Sequence, residues 1–234
     1  MIVAAALPSV AHAHLSINKL WVDFVQGHDE RSDIVIRNDG KDRYYVTVTV
    51  SEIVDPGTPN ERRVQQVDPE KSGLLVTPNR LVLDPGALRS IRLVSLNQNL
   101  TKDRIYRVLI SPQVGAIKTA ADQKDDKALA IKMLAAYDVL VVVRPSDASA
   151  DLQAVRTPGE VTITNSGNTN ILLANGLVCP LSVGSDMTDK TCRTIDADRL
   201  YAGNSLSIPL SAPTDRVIVK TRESAVGAFK TRQF

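Results

Sequence analysis

The chain has 234 residues, enough for one large domain or for two domains of about 100 residues each. Val, Ile, Thr and Leu dominate its apolar content and aromatic residues make up only 4%, a balance that favours strands over helices. The formal net charge of +2 is too small to predict nucleic-acid or membrane binding. Composition therefore indicates a β-rich protein and does not identify a partner.

The N-terminal residues have the features of an export signal. Residues 1–13 are apolar up to Pro8 and end in the small-x-small pattern Ala11-His12-Ala13, which is typical of a signal peptide whose cleavage would leave His14 first. The usual basic segment is missing, as it would be if the sequence began inside the signal, and an ordinary buried strand is the alternative. No later stretch approaches the roughly 20 apolar residues that span a bilayer. We expect an exported, soluble protein.

The two cysteines fit an oxidising compartment. Cys179 and Cys192 are separated by 12 residues, which suits a disulfide-bridged hairpin or loop, with two unpaired buried thiols as the alternative. Their spacing does not match a CxxC redox or zinc motif, and His12, His14 and His28 form no metal-ligand cluster near them. We expect no metal and no cofactor.

Alternating apolar and polar residues separated by turn residues predict strands through the first half of the chain. The predicted strands include residues 15–18, 21–24, 33–37, 44–53, 88–94 and 104–110. The first three resemble the opening hairpin of a sandwich, closed by Asn38-Asp39-Gly40. Residues 44–53 alternate most strictly and predict a central strand with one buried face, which carries Val46 and Val48.

A long apolar run ends the first half. Residues 128–143 are apolar apart from Lys132 and Asp138, and the run ends at Arg144-Pro145. It follows a charged, loop-like segment at residues 113–127. The run reads as a strand, but its first half contains good helix formers and a helix there stays open.

The second half predicts another small β-sandwich. Its predicted strands are residues 159–164, 171–174, 206–210 and 216–220. Residues 146–150 are a plausible linker, so the second domain would occupy residues 151–234. A core of under 90 residues is marginal, and a Cys179–Cys192 bridge would stabilise it.

The order of several segments resembles one known family. Residues 77–94 contain a Pro-rich approach, an Asp-Pro-Gly turn and an Arg-containing strand, residues 104–112 read RIYRVLISP, and residues 141–145 read VVVRP. This succession resembles the PapD-like periplasmic chaperones of chaperone-usher pili. Residues 163–173, followed by the two cysteines, resemble the archaic or alternative branch of that family.

The resemblance implies both an architecture and a function. It implies two immunoglobulin-like β-sandwich domains in a boomerang arrangement, residues 14–145 and 151–234. It implies a periplasmic protein that binds pilus subunits lacking a final strand and delivers them to an outer-membrane usher. The mechanism is donation of a β-strand that fills the groove of the pilus subunit and pairs with its open sheet edge. No nucleic acid, ATP or small-molecule substrate is expected.

Counting back from Arg144-Pro145, the resemblance assigns the contacts with the pilus subunit to one face of the apolar run. The donor residues are Leu129, Ile131, Met133 and Ala135. The alternative is that these side chains fill the chain's own core. The assignment requires that the edge of this run lie open as far as Val143.

The family's carboxylate-binding residues are replaced in this sequence. The expected Lys and Arg positions are Leu140 and Trp21, so another cation should bind the C-terminal carboxylate of the pilus subunit. Arg107 is the leading candidate because alternation points it away from the core. Lys19 and Arg104 are further candidates, and a solvated surface charge is the alternative for each.

Two other arginines are assigned to structure. Arg144 and Arg92 would support the angle between the domains rather than bind ligand. Catalysis is not expected, since the sequence has no GxSxG elbow, HExxH motif or phosphate loop. The competing function is a secreted two-domain adhesin or structural pilus component, which would not need an exposed apolar strand.

Overall fold

The computed structural model describes residues 15–115, 133–182 and 191–234. These residues form two β-sandwiches that follow each other along the chain. The predicted all-β fold class is therefore confirmed. The predicted signal peptide, residues 1–13, and His14 lie outside the described residues.

The first sandwich is built from the described residues up to Arg144. Its elements are β1 (Leu15–Ile17), β2 (Trp21–Val25), β3 (Arg31–Asn38), β4 (Tyr44–Val54), β5 (Arg62–Gln65), the short helix α1 (Pro69–Ser72), β6 (Leu74–Thr77), β7 (Arg80–Leu83), β8 (Leu88–Ser95), β9 (Arg104–Val114) and β10 (Tyr137–Arg144). One sheet has the order β1-β3-β8-β6 and the other β2-β10-β9-β4-β5, with β7 also paired to β4. Between them lies a core that includes Phe24, Ile36, Tyr106 and Val141.

The strand with the strictest alternation is central, as predicted. β4 pairs with β9 along one edge and with β5 and β7 along the other. Val46 and Val48 are buried in the core, whereas the adjacent Tyr45 is exposed. A period of two residues therefore gave the buried face of this strand correctly.

The predicted opening hairpin is wrong. β1 pairs antiparallel with β3, but β2 leaves that sheet and pairs in parallel with β10 in the opposite one. The N-terminal segment thus divides near residues 18–20 and contributes an edge strand to each sheet. Alternation reports which side chains are buried and carries no information on the partner strand, so the sequence could not distinguish these pairings.

Each sandwich has a buried asparagine at a predicted turn. Asn38 and Asn165 are both fully buried. The Asn38 side chain donates to the carbonyl oxygen of Leu83 at 2.9 Å, and that of Asn165 donates to the carbonyl oxygen of Leu200 at 3.0 Å. These bonds tie each turn to a neighbouring strand and satisfy polar groups that would otherwise be buried without partners.

The second sandwich is built from the described residues from Leu152 onward. Its strands are β11 (Leu152–Arg156), β12 (Glu160–Asn165), β13 (Ile171–Cys179), β14 (Arg193–Ile195), β15 (Asp198–Leu200), β16 (Ser205–Pro209), β17 (Arg216–Arg222) and β18 (Lys230–Gln233). One sheet has the order β11-β12-β16 and the other β14-β13-β17-β18, with β15 also paired to β13. Val161, Ile163, Ile171 and Val217 lie in the core between them.

The predicted disulfide is confirmed. Cys179 and Cys192 are bonded, and they join the end of β13 to the residue before β14. Cys179 is fully buried beside Leu177 and Ile218. Among the described residues, no helix has the length and hydropathy needed to cross a membrane.

Candidate protein-binding site

The segment that the resemblance assigns to strand donation is described from Met133 onward, and Leu129 and Ile131 lie outside the described residues. The described stretch before β10 belongs to no strand. Met133 is 85% exposed and Ala135 is exposed, whereas Leu134 between them packs against the first core. The alternative that the donor residues fill the chain's own core is therefore wrong for Met133 and Ala135.

The open edge of the apolar run is shorter than expected. β9 pairs with β10 from Tyr137 to Val143, but on the other side β2 pairs only from Leu140 onward. The expectation of an open edge as far as Val143 is therefore wrong for residues 140–144, because the parallel strand β2 covers them. Within the described part of the chain, residues 137–139 have a strand neighbour on one side alone.

The outer face of β10 is covered by the second sandwich. A buried cluster on this face comprises Ile53, Ile105, Leu140 and Val142, against which Trp21 and Tyr201 pack. Leu140 and Trp21 lie directly opposite each other in the parallel ladder. These are the two positions that the resemblance aligns with a carboxylate-binding Lys and Arg. An apolar contact occupies both positions here.

Arg144 connects the two sandwiches. It is 4% exposed, and its Nε and Nη2 atoms donate to Asp23 Oδ1 at 3.0 and 2.9 Å. The same guanidinium donates to Thr169 Oγ1, to the Asn170 carbonyl oxygen at 3.3 Å and to the Glu223 carbonyl oxygen at 2.5 Å. The predicted structural role of Arg144 between the domains is confirmed.

Arg92 does not share that role. It lies on β8, and its guanidinium pairs with Asp33 on the neighbouring strand β3 at 3.0 Å. Both side chains are substantially exposed on the first sandwich. The prediction that Arg92 supports the domain angle is therefore wrong, because its partner is on the adjacent strand of its own sheet.

Asp103 completes the polar contact between the sandwiches. Its Oδ1 accepts from Thr169 Oγ1 at 2.8 Å, and its Oδ2 accepts from the Asn170 backbone N–H at 2.6 Å. Arg144 Nη1 is 4.0 Å from Oδ2. Burial raises the pKa of the Asp103 carboxyl, and the charge of Arg144 opposes that rise only in part.

Trp21 lies against two arginines of the second sandwich. The Arg199 guanidinium is 4.0 Å from the centre of its ring and that of Arg222 is 4.9 Å away, while Arg222 also lies 4.8 Å from the ring of Phe229. Such cation–π contacts are favourable where the cation is shielded from water. Burial lowers the pKa of Arg199 to about 10, so it remains a cation at neutral pH.

Arg107, the leading candidate for carboxylate binding, faces the cleft between the sandwiches. It is half-buried on β9 opposite Leu140, and its Nη1 atom donates a long bond of 3.4 Å to the Asp138 carbonyl oxygen. Burial raises the pKa of Tyr201, and the positive charges of Arg199 and Arg107 oppose that rise. Arg107 thus lies near the second sandwich, and among the described residues it has no carboxylate partner.

The other two candidates have partners already. Arg104 forms a bidentate pair with Glu52, at 2.9 Å from Nε and 2.6 Å from Nη2, and its Nη1 donates to Asn97 Oδ1 at 2.7 Å. Lys19 donates to Ser32 Oγ at 3.1 Å, on a strand of the opposite sheet. Arg107 is therefore the candidate that combines a position in the cleft with unused donors.

Sequence reasoning missed most of the contact between the sandwiches. Asp23, Asp103, Arg199 and Tyr201 were not identified, and Asp23 also accepts from the Ala225 backbone N–H at 2.5 Å. The available signal was Trp21, a lone tryptophan at a position where the family places a cation. Within the described residues, no group of His, Cys, Asp or Glu side chains is arranged to hold a metal ion.

Comparisons with known proteins agree with this architecture, although no protein-family model matches the chain. A CS1 fimbrial protein of Escherichia coli is 29% identical over 205 residues, covering 85% of this chain and 82% of that protein. The solved structure of the class 5 fimbriae chaperone CfaA matches with a TM-score of 0.67 at 21% identity, over 94% of this chain and 97% of that one. A chain from the Salmonella enterica complex of SafA pilin with the SafB chaperone matches with a TM-score of 0.64 at 12% identity, over 97% and 98%. The chain therefore has the two-domain fold of the fimbrial chaperones, which confirms the resemblance that its sequence indicates.

Proposed function

We propose that this chain is a periplasmic chaperone that binds pilus subunits lacking a final strand, stabilises them by donor-strand complementation and delivers them to an outer-membrane usher. It acts by binding rather than catalysis. Its first domain would span residues 14–145 and its second residues 151–234. The gap between the end of β10 and the start of β11 supports this division.

The open edge beside the apolar segment carries the proposal. Residues 137–139 lack a second strand neighbour within the described part of the chain, and Met133 and Ala135 just before them are exposed. An unpaired strand edge offers N–H and C=O groups to an extended polypeptide, and alternate side chains supply specificity. A strand of the pilus subunit can therefore extend this sheet beyond the end of β2.

Side-chain burial would supply part of the binding free energy. We propose that Leu129, Ile131, Met133 and Ala135 enter the groove of the pilus subunit. Full burial of Leu, Ile or Met is worth roughly 1.5–3 kcal/mol each. Losing two such contacts would therefore weaken the complex by several orders of magnitude in equilibrium constant.

We propose Arg107 as the anchor for the C-terminal carboxylate of the pilus subunit. Its half-buried position in the cleft, its long bond to Asp138 and the nearby charge of Arg199 support this role. A carboxylate that leaves water needs charge-assisted hydrogen bonds, and an Arg guanidinium offers two in one plane. The apolar Leu140 and Trp21 cannot supply them.

The known relatives favour a chaperone over an adhesin. The similar solved structures include fimbrial chaperones, and one of them is described with a pilin. An adhesin or structural pilus component would make no use of the open edge. Cell fractionation separates the two functions, because the chaperone is expected in the periplasmic fraction and an adhesin in sheared fibres.

The direct test is the double substitution Ile131→Thr with Met133→Thr, co-expressed with the pilin encoded beside this gene. The variant should keep the parent's urea midpoint, since Met133 is exposed in the free protein, yet yield no complex. A matched control is Val67→Thr with Leu88→Thr, two exposed apolar residues of the first sandwich away from β10. If the donor-segment variant still co-purifies with the pilin at the parent's yield, strand donation is wrong.

A further inference from the structure

We infer that Met133 is a modification site whose oxidation to methionine sulfoxide switches pilin binding off. The inference rests on the proposed function, because it concerns the same donor segment. The modified atom is the thioether sulfur, and the oxidant is a hydroperoxide. The structural basis is the position of this one side chain.

The side chain of Met133 is accessible in the free protein. It is 85% exposed, whereas the next residue, Leu134, packs against the first core. The packing of Leu134 fixes which side of the segment faces inward and leaves the Met133 thioether on the solvent side. The sequence contains three methionines, and the other two, Met1 and Met187, lie outside the described residues.

The reaction with hydrogen peroxide is balanced without any further reactant. The thioether sulfur attacks one peroxide oxygen, an S–O bond forms and the O–O bond breaks. Sulfur is oxidised by two electrons, and the peroxide is reduced to one molecule of water, which retains both protons. Methionine sulfoxide reductases reverse the change, one enzyme for each sulfoxide epimer.

The sulfoxide should be silent in the free protein and disruptive in the complex. In the free protein the new oxygen remains in water, because the side chain that carries it is exposed. In the proposed complex the same side chain enters an apolar groove, where a sulfoxide oxygen loses its water and finds no donor. Oxidation therefore penalises the bound state and leaves the stability of the chain unchanged.

The residues beside Met133 make this response specific. Leu134, Ala135 and Ala136 carry no group that a peroxide oxidises. The described cysteines are joined in a disulfide, so they offer no thiol to compete for the oxidant. Within the described residues, peroxide chemistry at sulfur therefore concentrates on the donor segment.

The experiment uses the purified full chain, treated with hydrogen peroxide and then with catalase before any pilin is added. Oxidation is measured on the tryptic peptide of residues 133–156, in which Met133 is the one methionine. The probe is the pilin encoded beside this gene, diluted from denaturant into the chain and titrated. We expect at least a tenfold loss of affinity, an unchanged urea midpoint, and recovery after treatment with both reductases.

Two variants make the result specific. Met133→Leu keeps the size and apolar character of the side chain, so it should bind the pilin before treatment and be unaffected by peroxide. Met187→Leu should lose binding on oxidation as the parent does.

Each alternative result has a distinct meaning. If the parent carries the sulfoxide at Met133 and still binds as tightly as untreated protein, the inference is overturned while the proposed function stands. If peroxide weakens Met133→Leu as much as the parent, another residue is responsible and the inference is wrong. If the untreated parent and Met133→Leu both fail to capture the pilin, the proposed function fails, and the inference fails with it.

Discussion

Replacing Arg144 with Met should separate the two sandwiches energetically while filling most of the same space. The guanidinium is 5% exposed, and the carboxylates of Asp23 and Asp103 beside it are 13% and 5% exposed. Its removal leaves two buried carboxylates without their shared cation. Breaking a buried ion pair in this way costs about 3–5 kcal/mol, which is a large part of the stability of a typical domain.

The single tryptophan makes the effect measurable. Trp21 lies between the sandwiches, against Arg199, so its emission reports on this contact. Urea unfolding of Arg144→Met, followed by tryptophan fluorescence, should show a lower midpoint and an emission maximum shifted to the red before the main transition. A two-domain protein need not unfold in one step, so circular dichroism should be recorded in parallel.

The matched control is Arg92→Met. Its pair with Asp33 has side chains 44% and 34% exposed, so its loss should cost only about 0–1 kcal/mol. The reasoning is refuted if Arg144→Met unfolds within 1 kcal/mol of Arg92→Met by the same probes, where 1 kcal/mol is about the upper limit for an exposed pair. An unchanged Trp21 emission in a destabilised variant would show that the loss lies elsewhere than in the domain contact.

Two further predictions concern single charges in the cleft. Arg107→Ala should weaken pilin binding by roughly 1.5–3 kcal/mol, the contribution of a hydrogen bond to a charged group, whereas the exposed Arg89→Ala should not; equal affinities in titration would remove Arg107 from the site. Burial raises the pKa of Asp103 above its usual 3.8, so its contribution to stability is fully present below 3.8 and is lost as the pH rises through the raised value. The urea midpoint of the parent relative to Asp103→Asn should therefore increase from neutral pH down to about pH 4, and parallel pH profiles would contradict this.

The sequence was sufficient for the features that depend on local pattern. Alternation in β4 identified its buried face, and the turn residues around Asn38 and Asn165 located two tight turns with buried caps. The spacing of the cysteines fitted the disulfide that the structure contains. Each of these signals lies within a short stretch of chain, where side-chain periodicity and turn chemistry act directly.

Partner strands and contacts between domains were beyond such reasoning. β2 carries the alternation of a hairpin strand, yet it pairs with β10, more than a hundred residues later in the sequence. The partners of Arg144 include two backbone carbonyl groups of the second sandwich, which every residue type presents equally. Trp21 was interpreted as a missing cation, and only the folded chain shows that Arg199 lies against its ring.

The central claim is that a pilin strand pairs with the edge of the chain just before Leu140. Hydrogen exchange of the backbone amides, measured by mass spectrometry in the free chain and in the complex with the pilin from the neighbouring gene, tests it most directly. The account predicts strong slowing of exchange at residues 133–139 and little change at residues 140–144, which already pair on both sides in the free chain. A complex that forms with unchanged exchange at residues 133–139 would contradict it.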